Sequence, residues 1–89
     1  MPKRRRERFG PAVAFGVALR ERRKELGLSQ ERFVAKAKLD RTYVGGLERG
    51  ERNPTLRVIW RLADALEMRP GDLVHLADKR VLARPTDSA

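Results

Sequence analysis

The chain has 89 residues and no cysteine, which leaves room for one domain and excludes disulfides and thiolate metal sites. Lys and Arg number 21 against 12 acids, a formal charge of +9 that points to a polyanionic partner. No apolar run approaches the ~18 residues a membrane span requires, and the absence of cysteine fits a cytoplasmic protein.

The opening MPKRRRERF carries five basic residues and one acid in its first eight positions and has no apolar period. Residues 1–10 therefore read as a flexible basic arm. PAVAFGVAL follows, but no small-residue cleavage site comes before RERRK, so it reads as helix and not as a secretory signal. From Ala12 to Leu26, the residues Phe15, Leu19 and Leu26 form one helical stripe with Arg23 at its edge, and Gly27 ends it. Ser29 is the expected N-cap of a second helix, with Gln30 and Glu31 in the first turn and Phe33, Val34 and Ala37 facing inward. After a short Lys38-Leu39 connection, Asp40 caps a third helix that runs to Arg49 and stops at Gly50; Val44 and Leu47 are its inward residues. Pro54 bars helix at Asn53, and Thr55 restarts it. The fourth helix is expected to bury Leu56, Ile59, Trp60, Ala63 and Leu66. A fifth starts near Pro70, runs through Leu73, Leu76 and Ala77 toward Leu82, and gives way to a polar tail over 84–89. No strand pattern occurs. The expected architecture is all-α, one compact five-helix domain over 11–83.

Little in the chain suggests catalysis. The single histidine, His75, would have to act on Ser29, a cap, or Ser88, in the tail. No glycine-rich phosphate loop is present, and no cofactor or metal is expected.

The words GLSQE, LDRTYV, LERGERNPTL and LADAL, in this order and spacing, resemble the Cro/repressor-type (XRE-like) helix-turn-helix family from about Phe15 to Leu76. Within it they resemble the small controller-type regulators of restriction–modification systems. The resemblance implies a lambda-repressor-like fold and a homodimer that binds a pseudo-palindromic operator in double-stranded DNA. It implies that Gln30 bonds a phosphate and braces the third helix. Arg41, Thr42, Gly45 and Gly46 would occupy the front of that helix in the major groove. Tyr43 and Arg49 would touch backbone or flanking bases, and Arg52, Asn53 and Thr55 would hold the neighbouring phosphate. Arg23 and Glu48 would pair between the first and third helices. The physics is compatible: a guanidinium fork matches guanine, a threonine methyl meets a thymine methyl, and helix N-termini attract anions.

The sequence departs from the family pattern in four places. Lys38 stands where a turn glycine is usual, and a left-handed conformation there would cost on the order of 1 kcal/mol; Glu67 replaces the glycine that usually follows ALx in the fourth helix. Arg22 interrupts the first apolar stripe, which would thin that end of the core. The glycine pair at 45 and 46 is the fourth. Each interior glycine costs ~0.5–1 kcal/mol relative to alanine; close approach of a bare backbone to the groove is the expected compensation, with drift at a weakly discriminating protein as the alternative. Replacing both with alanine is then expected to stabilise the free fold and weaken operator binding. Trp60 is expected in the core, with a dimer contact as the alternative, and His75 is expected to be an exposed helix residue. Val74, Val81 and Leu82 form surplus apolar surface for a dimer interface. A second reading, an antitoxin that binds a protein toxin and autoregulates its operon, rests on the same fold. A further protein partner, a toxin or RNA polymerase, is left open.

Overall fold

The computed structural model describes residues 10–82, with the side chain of Leu82 excepted. The arm over 1–9, residues 83–89 and the Leu82 side chain lie outside the described residues. Five helices follow in order: α1 Pro11–Glu25, α2 Gln30–Ala37, α3 Arg41–Glu48, α4 Leu56–Ala65 and α5 Pro70–Leu82. Among the described residues there is no strand.

Helix starts lie where cap chemistry puts them. The Ser29 hydroxyl accepts from the Arg32 N–H at 3.1 Å, the Asp40 carboxylate from the Tyr43 N–H at 3.0 Å, and the Thr55 hydroxyl from the Val58 N–H at 3.2 Å. Each satisfies one of the donors a helix start leaves open. Pro11 and Pro70 occupy first positions, where a missing N–H costs nothing.

Helix ends share one geometry. In α1 the Gly27 N–H reaches Lys24 O and the Leu28 N–H reaches Arg23 O; α3 repeats this with Gly50 and Glu51, and α4 with Glu67 and Met68. This paired return is the Schellman closure, and it requires a left-handed residue at its apex. Gly50 supplies it with φ 77°. α2 and α4 instead place Lys38 and Glu67 there, both at φ 58°. The left-handed turn expected at Lys38 is present, and Glu67 shares it. α3 itself ends one residue earlier than expected, with Arg49 as its C-cap.

The core joins Phe15 and Leu19 of α1, Phe33 and Ala37 of α2, Val44 and Leu47 of α3, Leu62, Ala63 and Leu66 of α4, and Leu73 and Ala77 of α5. α1 lies along α5 and crosses α3. The crossing depends on Gly16, which the sequence reading passes over. A Cβ at Gly16 would stand 2.4 Å from the Leu47 carbonyl oxygen and 2.6 Å from that of Glu48. Only a residue without a side chain lets α1 approach the end of α3 this closely.

Two expectations for α4 are corrected. Leu56 is 72% exposed and Trp60 59% exposed, so neither is core. The buried arc is rotated toward Leu62 and Ala65, which α2 and α5 cover, and the residues at 56 and 60 fall at its edge. The thinned core expected at Arg22 is also revised. Its Nε donates to the Leu66 carbonyl at 3.2 Å, capping the end of α4, and its Nη1 meets Glu25 at 3.3 Å.

Candidate nucleic-acid interface

α2 and α3 are joined by a turn of three residues, Lys38 to Asp40, and form a helix-turn-helix. The turn's left-handed apex is Lys38, and its carbonyl accepts from Arg61 of α4 at 3.4 Å. Asp40 then starts α3, so the positions that face outward first are Arg41 and Thr42, both exposed. Tyr43 is half-buried and packs against the core.

The far end of α3 is fixed by charge. Glu48 receives Arg23 Nε at 2.7 Å and Arg23 Nη2 at 3.0 Å, a two-pronged pair. Arg23 Nη1 goes to the Leu28 carbonyl at 2.8 Å. The side chains are 10% and 4% exposed, so the expected pair is present and well buried. Such a pair contributes geometry more than net energy, because desolvation of both charges offsets much of their attraction. Gln30, at the start of α2, donates its amide to Glu48 Oε1 at 3.1 Å. Three segments therefore meet at one carboxylate, and the brace expected of Gln30 runs to Glu48 in this structure.

Around this anchor the remaining residues take distinct positions. Arg41 Nη1 lies 3.1 Å from Glu31 Oε2 with both side chains exposed. An exposed pair holds at most ~1 kcal/mol, so Arg41 can exchange it for another anion. Arg49 is paired to Glu51 in the same exposed manner at 3.1 Å. Arg52 and Asn53 are exposed; Thr55 is exposed too, with its hydroxyl committed to the α4 cap.

The glycine pair is buried and does not present a bare face to solvent. Arg49 lies over Gly45, where a Cβ would stand 3.1 Å from Nη1; Arg52 lies over Gly46, where a Cβ would stand 3.0 Å from Cγ. In this structure the backbone at the pair is approached closely by two arginine side chains of the same chain. Alanine at 45 would only displace the tip of a flexible guanidinium, whereas alanine at 46 would press on the stem of Arg52. The gain in stability expected for the double replacement is therefore confined to position 45.

A cleft of about 380 Å³ opens beside the anchor, lined by Arg20, Arg23, Gln30, Gly45, Glu48 and Arg49. Arg20 has no part in the sequence reading. Its signal is its place three residues before Arg23, one turn back on the same side of α1.

On another face, a groove of about 600 Å³ runs between the start of α1 and α5, with Phe15, Pro54, Val74, Ala77 and Val81 among its walls. Val74 is 46% exposed, and Val81 is half-buried against the core. Leu82 lies outside the described side chains. His75 is exposed on the rim, as expected.

The family model described as helix-turn-helix matches residues 19–73, from the middle of α1 into α5. The chain belongs to the helix-turn-helix family. This helix-turn-helix protein is a transcriptional regulator homologous to restriction–modification controller proteins, and not an enzyme. It is 38% identical over 63 residues to the control protein C.BamHI of Bacillus amyloliquefaciens, covering 70% of this chain and 78% of that protein. It is 52% identical to the controller protein C.AhdI of Aeromonas hydrophila, whose crystal structure superposes with a TM-score of 0.68 over 70% of this chain and 94% of that one. The controller protein C.Esp1396I, solved as a tetramer with its natural 35 base-pair operator, is 29% identical with a TM-score of 0.74, over 81% and 95% of the two chains. These relatives do not favour the antitoxin reading. No helix among the described residues is long and apolar enough to cross a membrane.

Proposed function

We propose that this regulator binds a pseudo-palindromic operator in double-stranded DNA as a homodimer in the cytoplasm, in the manner of a restriction–modification controller protein. One observation carries the reading: the start of α3 is presented outward while its end is locked to α1 and α2 through Glu48. A probe that must meet base edges has to be exposed and rigid at once, and this helix is both. The operator complex of the similar C.Esp1396I supports the partner.

Arg41 and Thr42 read bases in the major groove, with Tyr43 at the flank. Gln30, Arg49, Arg52, Asn53 and the amino end of α4 at Thr55 meet phosphates and set the register. At Gly45 and Gly46 the contact is made by the arginines lying over them. Two copies meet through the α1–α5 groove at Val74 and Val81, with residues 11–83 as the folded unit, placing the two probes about one helical turn apart.

The test has two arms. A footprint on the DNA upstream of its own gene should show two protected half-sites. A dimer neutralising about 8 phosphates should lose affinity with a log–log salt slope near −7. The variant Val74→Glu/Val81→Glu should sediment as a monomer and lose operator affinity. Retention of random duplexes as tightly as the protected one would refute specific binding. A dimeric double variant would refute the interface.

A further inference from the structure

The geometry points to a phosphate clamp in the cleft between α1 and α3: Arg20 and Arg49 take one phosphodiester of the duplex backbone, with room for the Arg49 guanidinium left by Gly45. The inference rests on the DNA-binding reading above and adds a residue, Arg20, to which that reading gives no role.

Three observations converge on this cleft. The first is its charge. Its lining holds the guanidiniums of Arg20, Arg23 and Arg49 against the single carboxylate of Glu48, an excess of two positive charges. The second is the availability of those charges. Arg23 is fully committed to Glu48 and Leu28, and it forms the back wall. Arg20 is exposed and makes no hydrogen bond or ion pair among the described residues. Arg49 is held only by the exposed Glu51, a contact an incoming anion readily replaces. The third is space. Gly45 lies on the floor, and a side chain there would meet the Arg49 guanidinium at 3.1 Å and fill the cleft from below.

A singly charged diester with two free oxygens suits this arrangement, because each oxygen can receive a guanidinium fork from one side. A base edge does not suit it. The cleft stands at the Glu48 end of α3, a full turn beyond Arg41 and Thr42, and its two uncommitted charges are the flexible guanidiniums of Arg20 and Arg49. Gln30, already donating to Glu48, lines the same cleft.

The experiment measures duplex binding by fluorescence anisotropy across a salt series for the wild type, Arg20→Ala and Arg20→Lys. Two probes are used: a duplex enriched from a random library by the wild type, and a scrambled duplex of equal length. For Arg20→Ala the log–log salt slope should become less negative by about 0.9 per subunit bound. Affinity should fall by the same factor on both duplexes, because a phosphate contact carries no sequence information. Arg20→Lys should restore most of the slope. Thermal unfolding should be unchanged, since Arg20 is exposed. An unchanged slope overturns the clamp, and so does a loss confined to the enriched duplex. Failure to enrich any duplex would sink the specific-regulator reading, while the slope on the scrambled duplex would still decide the clamp. A last arm swaps chloride for inorganic phosphate at constant ionic strength. A drop in duplex binding that Arg20→Ala diminishes supports the clamp, because free phosphate then competes with the backbone phosphate for the same guanidiniums; an equal drop in both proteins places the competition elsewhere and overturns it.

Discussion

Replacing Glu48 with alanine should be among the most damaging single changes on the α3 surface. The substitution removes two guanidinium contacts, at 2.7 and 3.0 Å, and one amide contact at 3.1 Å. It leaves the Arg23 guanidinium in place with only the Leu28 carbonyl as partner, in a residue 8% exposed. Removing one member of a buried pair typically costs ~3–5 kcal/mol, because the other charge is left uncompensated. A domain of this size has a total stability of roughly 4–13 kcal/mol at ~0.05–0.15 kcal/mol per residue. The loss is therefore a large share of the total. For a small domain each kcal/mol moves the midpoint by ~4–8 °C, so a fall of at least about 12 °C is expected in circular dichroism melts. The cycle through Arg23→Met and Arg23→Met/Glu48→Leu tests the cause. The double variant has no orphan charge and should recover much of the loss, yet it should bind DNA poorly because Gln30 and α3 lose their common anchor. A Glu48→Ala penalty below about 1 kcal/mol would refute the reasoning, since that is what an exposed pair contributes.

Two further outcomes concern backbone geometry. Gly16→Ala should destabilise by at least about 2 kcal/mol in urea unfolding, because its Cβ would sit inside contact distance of two backbone carbonyls that cannot step aside. Gly71→Ala is the control: nothing lies within 4 Å of the added Cβ, and a gain of ~0.4–1 kcal/mol is expected from the stiffer unfolded chain. Lys38→Gly and Glu67→Gly should each gain about 0.5–1 kcal/mol, the left-handed penalty of ~1–2 kcal/mol less ~0.5–1 kcal/mol for glycine's extra freedom. Glu67→Gly also removes the ion pair with Lys36, which is exposed and subtracts little. A fall in stability for both would show that neither turn is strained.

The parts of this fold that could be read from the chain are those whose physics is local. Ser29, Asp40 and Thr55 cap because a short polar side chain can reach a backbone N–H two or three residues ahead, and that relation is written in neighbouring letters. Gly27 and Gly50 end helices for the same kind of reason. The Arg23–Glu48 pair spans 25 residues and was visible only through the family resemblance. Gly16 escaped because its reason for being glycine is the end of α3, some thirty residues away, and nothing adjacent to it announces that crossing. Leu56 and Trp60 were misplaced because apolarity names a preference for burial without naming a partner. α4 has a wide apolar arc, and only the positions of α2 and α5 decide which part of it is covered. Arg20 was missed because a single arginine in a basic chain carries no signal until a cleft forms in front of it.

The glycine pair shows how these levels combine. Gly45 and Gly46 together cost α3 about 1–2 kcal/mol of helical preference. An eight-residue helix has little stability of its own in any case, so its formation depends on tertiary contacts. Those contacts are Val44 and Leu47, fully buried beside the glycines, and Glu48, locked to Arg23. With the helix held from one side by core and at one end by charge, propensity on the remaining positions can be given up. What is obtained in exchange is room: Arg49 and Arg52 fold back across the helix where side chains at 45 and 46 would have pushed them away. A helix of eight residues thus presents arginine at both of its ends, Arg41 exposed at its start and Arg49 lining the cleft shared with Arg20. It follows that alanine at 45 should separate the two properties, raising the melting temperature while weakening DNA binding, because the same methyl that favours the helix displaces the guanidinium.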